Sequence, residues 1–216
     1  MGLKLVMLGA GGHAASLMET AVACGAFSRI VFVDPEKAGE TFMGCPVVSS
    51  APDEHAGDGV RFFAAIGDNA RRQRAVNELR NALPDARFAI LRHPSSSVSS
   101  FAQIAPGAAI MQNAVAGAGA RIGAHCIVNS AAIVEHDVVM EPFSSLAPGA
   151  VTGGGCRIGK RAAVCIGAVL RHGVNIGEDA ILGANSYAHG DIPPRTTALG
   201  SPARVAGKRE KGDPYL

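Results

Sequence analysis

Two short stretches carry side chains whose types and spacing could do chemistry. Gly9-Ala10-Gly11-Gly12-His13-Ala14 fits the pattern G-x-G-x-x-A directly after the apolar run LKLVMLGA. Glycines at that spacing permit a tight turn, and the N–H groups opening the following helix can approach phosphate oxygens. Asp34 ends the next apolar run, IVFVDP, where an acid would meet a ribose or sugar hydroxyl. The second stretch is Glu135-His136-Asp137. A carboxylate beside an imidazole can orient the ring and raise its basicity, the arrangement of a general base. Either Asp137 or Glu135 could be that partner, and an exposed histidine flanked by ordinary acids has the same sequence. A third stretch, Gly200-Ser201-Pro202-Ala203 with Arg204, Lys208, Arg209 and Lys211 after it, is a basic exit. It fits the phosphates of an anionic cofactor and fits a solvated terminus equally well.

The elements that must hold these residues differ between the two halves of the chain. From Val98 every sixth residue to Ala188 is large and aliphatic in thirteen of sixteen cases, the others being Ala116, Thr152 and Ala188. Four residues further on stands a smaller side chain, from Ala102 and Ala108 through Cys126 and Ser144 to Ser186. Neither the 3.6 period of a helix nor the alternation of a strand gives this spacing. A triangular coil does: each flat side is one hexapeptide, with an aliphatic residue inward and a small one at the corner. Three sides make an 18-residue coil, and coils stack at ~4.8 Å. The expected fold from Val98 to Tyr187 is a left-handed parallel β-helix of about five coils. Gly123, Gly159, Gly177 and Gly183 are expected to supply backbone freedom at its bends.

The register gives the ambiguous histidine a setting. Val134 points inward, so His136 lies on the outside, with Ala118 and Gly154 one coil before and after it. Both are small and leave the room that a pantetheine arm and an amine would need. His136 and His172 share a corner two coils apart, ~9.6 Å by the strand spacing. Zinc holds imidazole nitrogen at ~2.1 Å, so no metal is expected there within one subunit.

Residues 1–92 read as a small Rossmann-like α/β domain. Strands are expected at 3–10, 30–35 and 62–69, helices at His13–Phe27 and 70–83, and RFAILRHP leads into the repeat. The unit is short for a dinucleotide fold, so a nucleoside diphosphate suits it better than NAD. The β-helix domain is set at 93–199 and a tail at 200–216. A net charge of +2 argues for neither nucleic acid nor an anionic membrane surface. Five cysteines without a CxxC pair suggest reduced thiols, and the first apolar run ends too soon for a signal peptide or a span. A cytoplasmic protein is expected.

Taken together, GAGGHA, AIGDN, the hexapeptide array, IVEHD and GSPA resemble the sialic-acid O-acetyltransferase-like hexapeptide acyltransferases over nearly the whole chain. The likeness is strongest to enzymes that N-acetylate a nucleotide-linked 4-amino-4,6-dideoxy sugar, of the bacillosamine and perosamine type. The resemblance implies an acetyl-CoA-dependent sugar N-acetyltransferase without a metal, trimeric, with active sites at subunit interfaces. It puts the catalytic base on His136, the acid that tunes it on Asp137, and the oxyanion-binding N–H on Gly154. The nucleotide-sugar pocket falls on Gly11, Gly12, His13, Asp34 and Gly67, and the acetyl-CoA groove on Ser145, Ile166 and Ala184. Ser145 departs from relatives that carry a histidine there, and Asp34-Pro35 from relatives with paired acids. An O-acetyltransferase acting on a sialic acid, or a non-catalytic nucleotide-sugar-binding protein, would share these motifs.

Overall fold

The computed structural model describes residues 2–51 and 59–215. Strand β1 (Leu3–Leu8) is apolar on both sides, with Leu5, Met7, Val6 and Leu8 all buried. Such a run suits an interior strand of a covered parallel sheet, and β1 is one, flanked on both sides by parallel neighbours. It pairs in parallel with β2 (Phe27–Val33) and β5 (Val60–Ala64), and a β3 (Thr41–Phe42)–β4 (Cys45–Val48) hairpin extends the far side. Helix α1 (Gly12–Ala23) packs Ala14, Leu17 and Met18 beside Leu5 and Met7. Helix α2 (Asn69–Ala82) packs Val76 and Leu79 beside Val6 and Leu8.

Three boundaries differ from the expected ones. Helix α1 ends at Ala23, because Gly25 turns the chain at φ +67° and β2 begins already at Phe27, opposite Leu3. The third long strand starts and stops earlier, at Val60 and Ala64, and Asp68 then caps α2 by accepting from the Arg71 N–H at 2.8 Å. Leu91–Arg92 pairs with Ala109–Ile110 and so is the first rung of the coil, before the repeat becomes regular.

The rest is a left-handed parallel β-helix of seventeen two-residue strands, from Leu91–Arg92 to Tyr187–Ala188. They stack into three faces. The first runs through Ala109, Ile127, Ser145, Ala163 and Ile181, the second through Val115, Ile133, Val151, Val169 and Tyr187, the third through Arg121, Val139, Arg157 and Asn175. The aliphatic series and the small corner series both close inward, into one continuous core.

The corners work differently from the expectation. At every sixth residue from Gly107 to Asn185 the backbone is left-handed, fourteen times in succession, and eight of these residues are not glycine. Gly123, Gly159, Gly177 and Gly183 are not among them. A Cβ at Gly123, Gly159 or Gly177 would run into the backbone of the next coil, and at Gly183 into the Leu199 side chain. These glycines serve close stacking, and the turning is done elsewhere.

The N-terminal domain docks on the first face, burying Met111, Ala109 and Ile127 with α1 and the sheet. Arg72, fully buried on α2, ties the two parts together: its guanidinium donates to the carbonyls of His125 (2.9 Å) and Phe143 (2.9 Å) on the β-helix. It also donates to the Ile66 and Gly67 carbonyls at 2.9 Å and to Asn69 Oδ1 at 2.6 Å. After the last coil, Thr196–Leu199 and Arg204–Lys208 form a hairpin turned by Gly200 to Ala203, and the tail then runs back toward α2.

Candidate active site

The turn after β1 and the turn after β5 enclose a cavity of about 890 Å3. Gly11, Gly12, His13, Asp34 and Gly67 all line it, so the five residues expected to meet a nucleotide sugar come together. Helix α1 starts without a side-chain cap and without an acid in its first turn, leaving its N–H groups turned to the cavity and suited to a phosphate. Asp34 also supports the turn itself. Its Oδ2 accepts from the Ala10 N–H (3.0 Å) and its Oδ1 from the Glu36 N–H (3.2 Å), while Lys37 Nζ donates to the Ala10 carbonyl at 2.7 Å. The carboxylate and the lysine thus hold the glycine turn open from both sides. Of the loop EKAGETFMG only Glu36 and Lys37 reach the cavity. Burial, and secondarily the Arg72 charge, push His13 down to about 4, so it is neutral at pH 7; its Nε2 is buried without a partner.

His136 and Asp137 stand exposed at the corner between the second and third faces. Asp137 takes one of the left-handed corner positions (φ +58°), which an aspartate tolerates better than most residues. That backbone turn brings its Oδ2 to 2.9 Å from His136 Nδ1. Glu135 instead receives the His136 backbone N–H at 3.2 Å, so the ring's partner is Asp137. Three glycines make the arrangement fit. A Cβ on Gly119 would strike the Asp137 carboxylate, one on Gly117 the backbone at 135–136, and one on Gly154 the His136 ring at Nε2. The hydrogen bond to Asp137 raises the imidazole above its ordinary value; desolvation works against this, and the Asp137 and Glu135 charges add to it.

The Gly154 N–H is occupied. It donates to Nδ1 of His172 at 2.9 Å. The His136 and His172 ring centres lie 6.5 Å apart, well inside the two-coil spacing expected, because the imidazoles meet over a residue without a side chain. Among the described residues no group of three His, Cys, Asp or Glu side chains is arranged to hold a metal.

The remaining expected residues lie elsewhere. Ile166 and Ala184 are exposed at the corner between the first and second faces. Ser145 is buried on the first face, where its hydroxyl meets Tyr215 Oη at 3.1 Å. The phenol also donates to the Gly67 carbonyl (3.0 Å), and the Tyr215 N–H to Asp68 Oδ2 (3.1 Å). The basic exit is partly spent within the chain: Arg209 donates to the carbonyls of Asp179 on the β-helix and Asp213 in the tail, and Arg204 pairs with His189, while Lys208 and Lys211 are exposed. Within one chain the expected site is therefore in three places. The cavity belongs to the domain on the first face, and the imidazole occupies the corner on the opposite side of the prism. Arg72 and Tyr215 carry no signal in the sequence, and His172 is marked there only as a corner neighbour of His136, not as a partner of Gly154. The one available signal was register, which sets His172 in the column of Ala118, His136 and Gly154.

An α/β domain with an uncapped glycine turn, docked on a left-handed β-helix that exposes an imidazole–carboxylate pair, defines a hexapeptide-repeat acyltransferase. Residues 4–79 match the family described as PglD N-terminal domain. The acetyltransferase domain of PglB from Neisseria gonorrhoeae FA1090, solved with acetyl coenzyme A, is 33% identical with a TM-score of 0.85, over 95% of this chain and 100% of that one. A single-residue variant of perosamine N-acetyltransferase from Caulobacter crescentus, solved with CoA and GDP-perosamine, is 33% identical with a TM-score of 0.84, over 95% and 97%. No curated protein sequence matches the chain significantly. The chain belongs to this PglD-type family of hexapeptide-repeat sugar acetyltransferases, and it is an acetyltransferase.

Proposed function

We propose that the protein transfers the acetyl group of acetyl-CoA to the 4-amino group of a nucleotide-linked 4-amino-4,6-dideoxy sugar. The observation that carries the reading is the His136–Asp137 pair, with Nδ1 at 2.9 Å from the carboxylate and Nε2 facing the groove over Gly154. A carboxylate only accepts, so Nδ1 carries the hydrogen and Nε2 has the lone pair a general base needs. As the amine nitrogen bonds to the thioester carbon, its proton passes to His136. The Gly154 N–H stabilises the oxyanion. The carbon–sulfur bond then breaks, and the thiolate leaves as CoA. The cavity's glycine turn takes the diphosphate, while His13, Asp34 and Gly67 orient the sugar. Relatives solved with CoA and GDP-perosamine support this substrate class.

Cavity and base lie on opposite sides of one chain, which favours a homotrimer with active sites between subunits. The second face supports this: Val115, Ile133, Val151, Val169 and Tyr187 point outward along it in one apolar row, with His136 at one edge and Ile166 and Ala184 at the other. In that arrangement Ile166 and Ala184 flank the cofactor of a neighbour's His136, and Ser145 stays with Tyr215. We place the enzyme in the cytoplasm, where acetyl-CoA is supplied. Five free thiols fit a reducing compartment, and among the described residues no helix is long and apolar enough to cross a membrane.

Replacing His136 by Ala should lower kcat by ~10²–10⁴. A loss below about fivefold, with chemistry shown to be rate-limiting, rules out the base, which should otherwise supply far more. Calorimetric titration with UDP, GDP and dTDP identifies the nucleotide, and the product should be a base-stable amide.

A further inference from the structure

The proposed oxyanion donor is closed in the structure, and the group that closes it belongs to no step of the reaction above. Nδ1 of His172 accepts from the Gly154 N–H at 2.9 Å. Only an unprotonated Nδ1 can accept, so His172 is here the neutral tautomer with hydrogen on Nε2. The backbone around it is built for this approach. A Cβ on Gly153 would run into the backbone of Arg171 and His172, and Gly154 itself returns its carbonyl to the Gly173 N–H at 3.0 Å. Gly154 carries no side chain, which lets the rings of His136 and His172 stand 6.5 Å apart on either side of it.

Resting on the reading of Gly154 as oxyanion donor, we propose that His172 is a positioning residue that caps this N–H until the thioester carbonyl displaces it. The consequence is selectivity between acetyl-CoA and CoA. A carbonyl oxygen exchanges one hydrogen bond of the Gly154 N–H for another, whereas the free thiol of CoA carries no such oxygen and leaves the cap closed. The cap thus keeps the donor aligned, and only a ligand with an acyl oxygen displaces it. Because the cap competes equally with the ground-state carbonyl and the oxyanion, its removal acts on binding rather than on the chemical step.

The experiment measures dissociation constants of acetyl-CoA and CoA, by calorimetry on the full-length protein without sugar nucleotide. His172→Ala should tighten acetyl-CoA by about two- to tenfold, the net worth of one neutral hydrogen bond, and leave CoA unchanged. His172→Asn, whose amide oxygen can take the place of Nδ1, should keep the wild-type ratio of the two constants. In turnover, the gain with His172→Ala should appear in the KM for acetyl-CoA and not in kcat. Equal shifts for both ligands, or weaker acetyl-CoA binding, overturn the cap and make the ring a simple wall of the groove. The parent reading is judged separately: retained activity in His136→Ala sinks it, and an unchanged ratio alongside an inactive His136→Ala sinks the cap alone.

Discussion

His136, the proposed base, owes its ring partner to the residue that follows it. Asp137 could reach the ring only because the corner turns through a left-handed residue at that position, and Gly119 leaves space for its carboxylate. The hydrogen bond holds the imidazole above its ordinary value, so the protonated, inactive form persists to higher pH than for a free histidine. kcat/KM should therefore rise with pH through a midpoint above ~6.5. Asp137→Asn, which removes the charge, should move that midpoint downward and lower the plateau. A pH–rate profile checks both, and an unmoved midpoint would separate Asp137 from the base. Adjacency made this pair legible from sequence. The 18-residue register puts His172 beside Gly154 but does not give the direction of its ring, and Tyr215 was hidden because its partner lies 70 residues away, reached only through the returning tail.

At the level of elements, the hexapeptide coil is legible in the sequence and the way its corners turn is not. The inward series is legible because only aliphatic and small side chains fit a triangular core. The left-handed corner positions are occupied by Gly, Asn, His, Ala, Asp, Phe and Arg, so no residue type marks them. What forces the conformation is closure of each face onto the next, and a Cβ there is strained by roughly 1–2 kcal/mol. Ala131, exposed at φ +55°, shows this cost without compensating side-chain contacts. Ala131→Gly should stabilise by about 1 kcal/mol and raise Tm by roughly 2–4 °C, read by calorimetric melting. Gly123→Ala tests the other class of glycine, and should lower Tm, since its Cβ would meet the carbonyl of Met140 and the backbone of Glu141.

For the molecule as a whole, the joint between its two parts is built of polar groups withheld from water. Arg72 satisfies carbonyls on both sides of it, and His125 sits beside it between Phe143, stacked at 4.9 Å, and Phe88, edge-on at 4.6 Å. Burial first, then the charges of Arg80 and Arg72, push His125 down to about 3. A histidine depressed in the fold contributes stability that is fully present above its unfolded value, ~6.5, and is lost as pH falls from there toward 3. At pH 5 the loss from His125 should be about 2 kcal/mol. Urea midpoints measured between pH 7 and pH 5 check this, and a flat profile would mean that the joint opens to water. Docking on the first face could not be foreseen from either half alone, though Ala109, Ile127 and Ala163 are small or apolar on its outer side.

In the proposed trimer, a cavity on one side of the prism and a base on the other also have a consequence for mixtures of copies. A subunit that has lost His136 still owns a sound cavity, and one whose glycine turn is blocked still owns a sound base. Neither should be active among its own kind. Mixed before assembly in equal amounts, the two should rescue each other at about one interface in four, the chance that a sound base meets a sound cavity in a ring of random order.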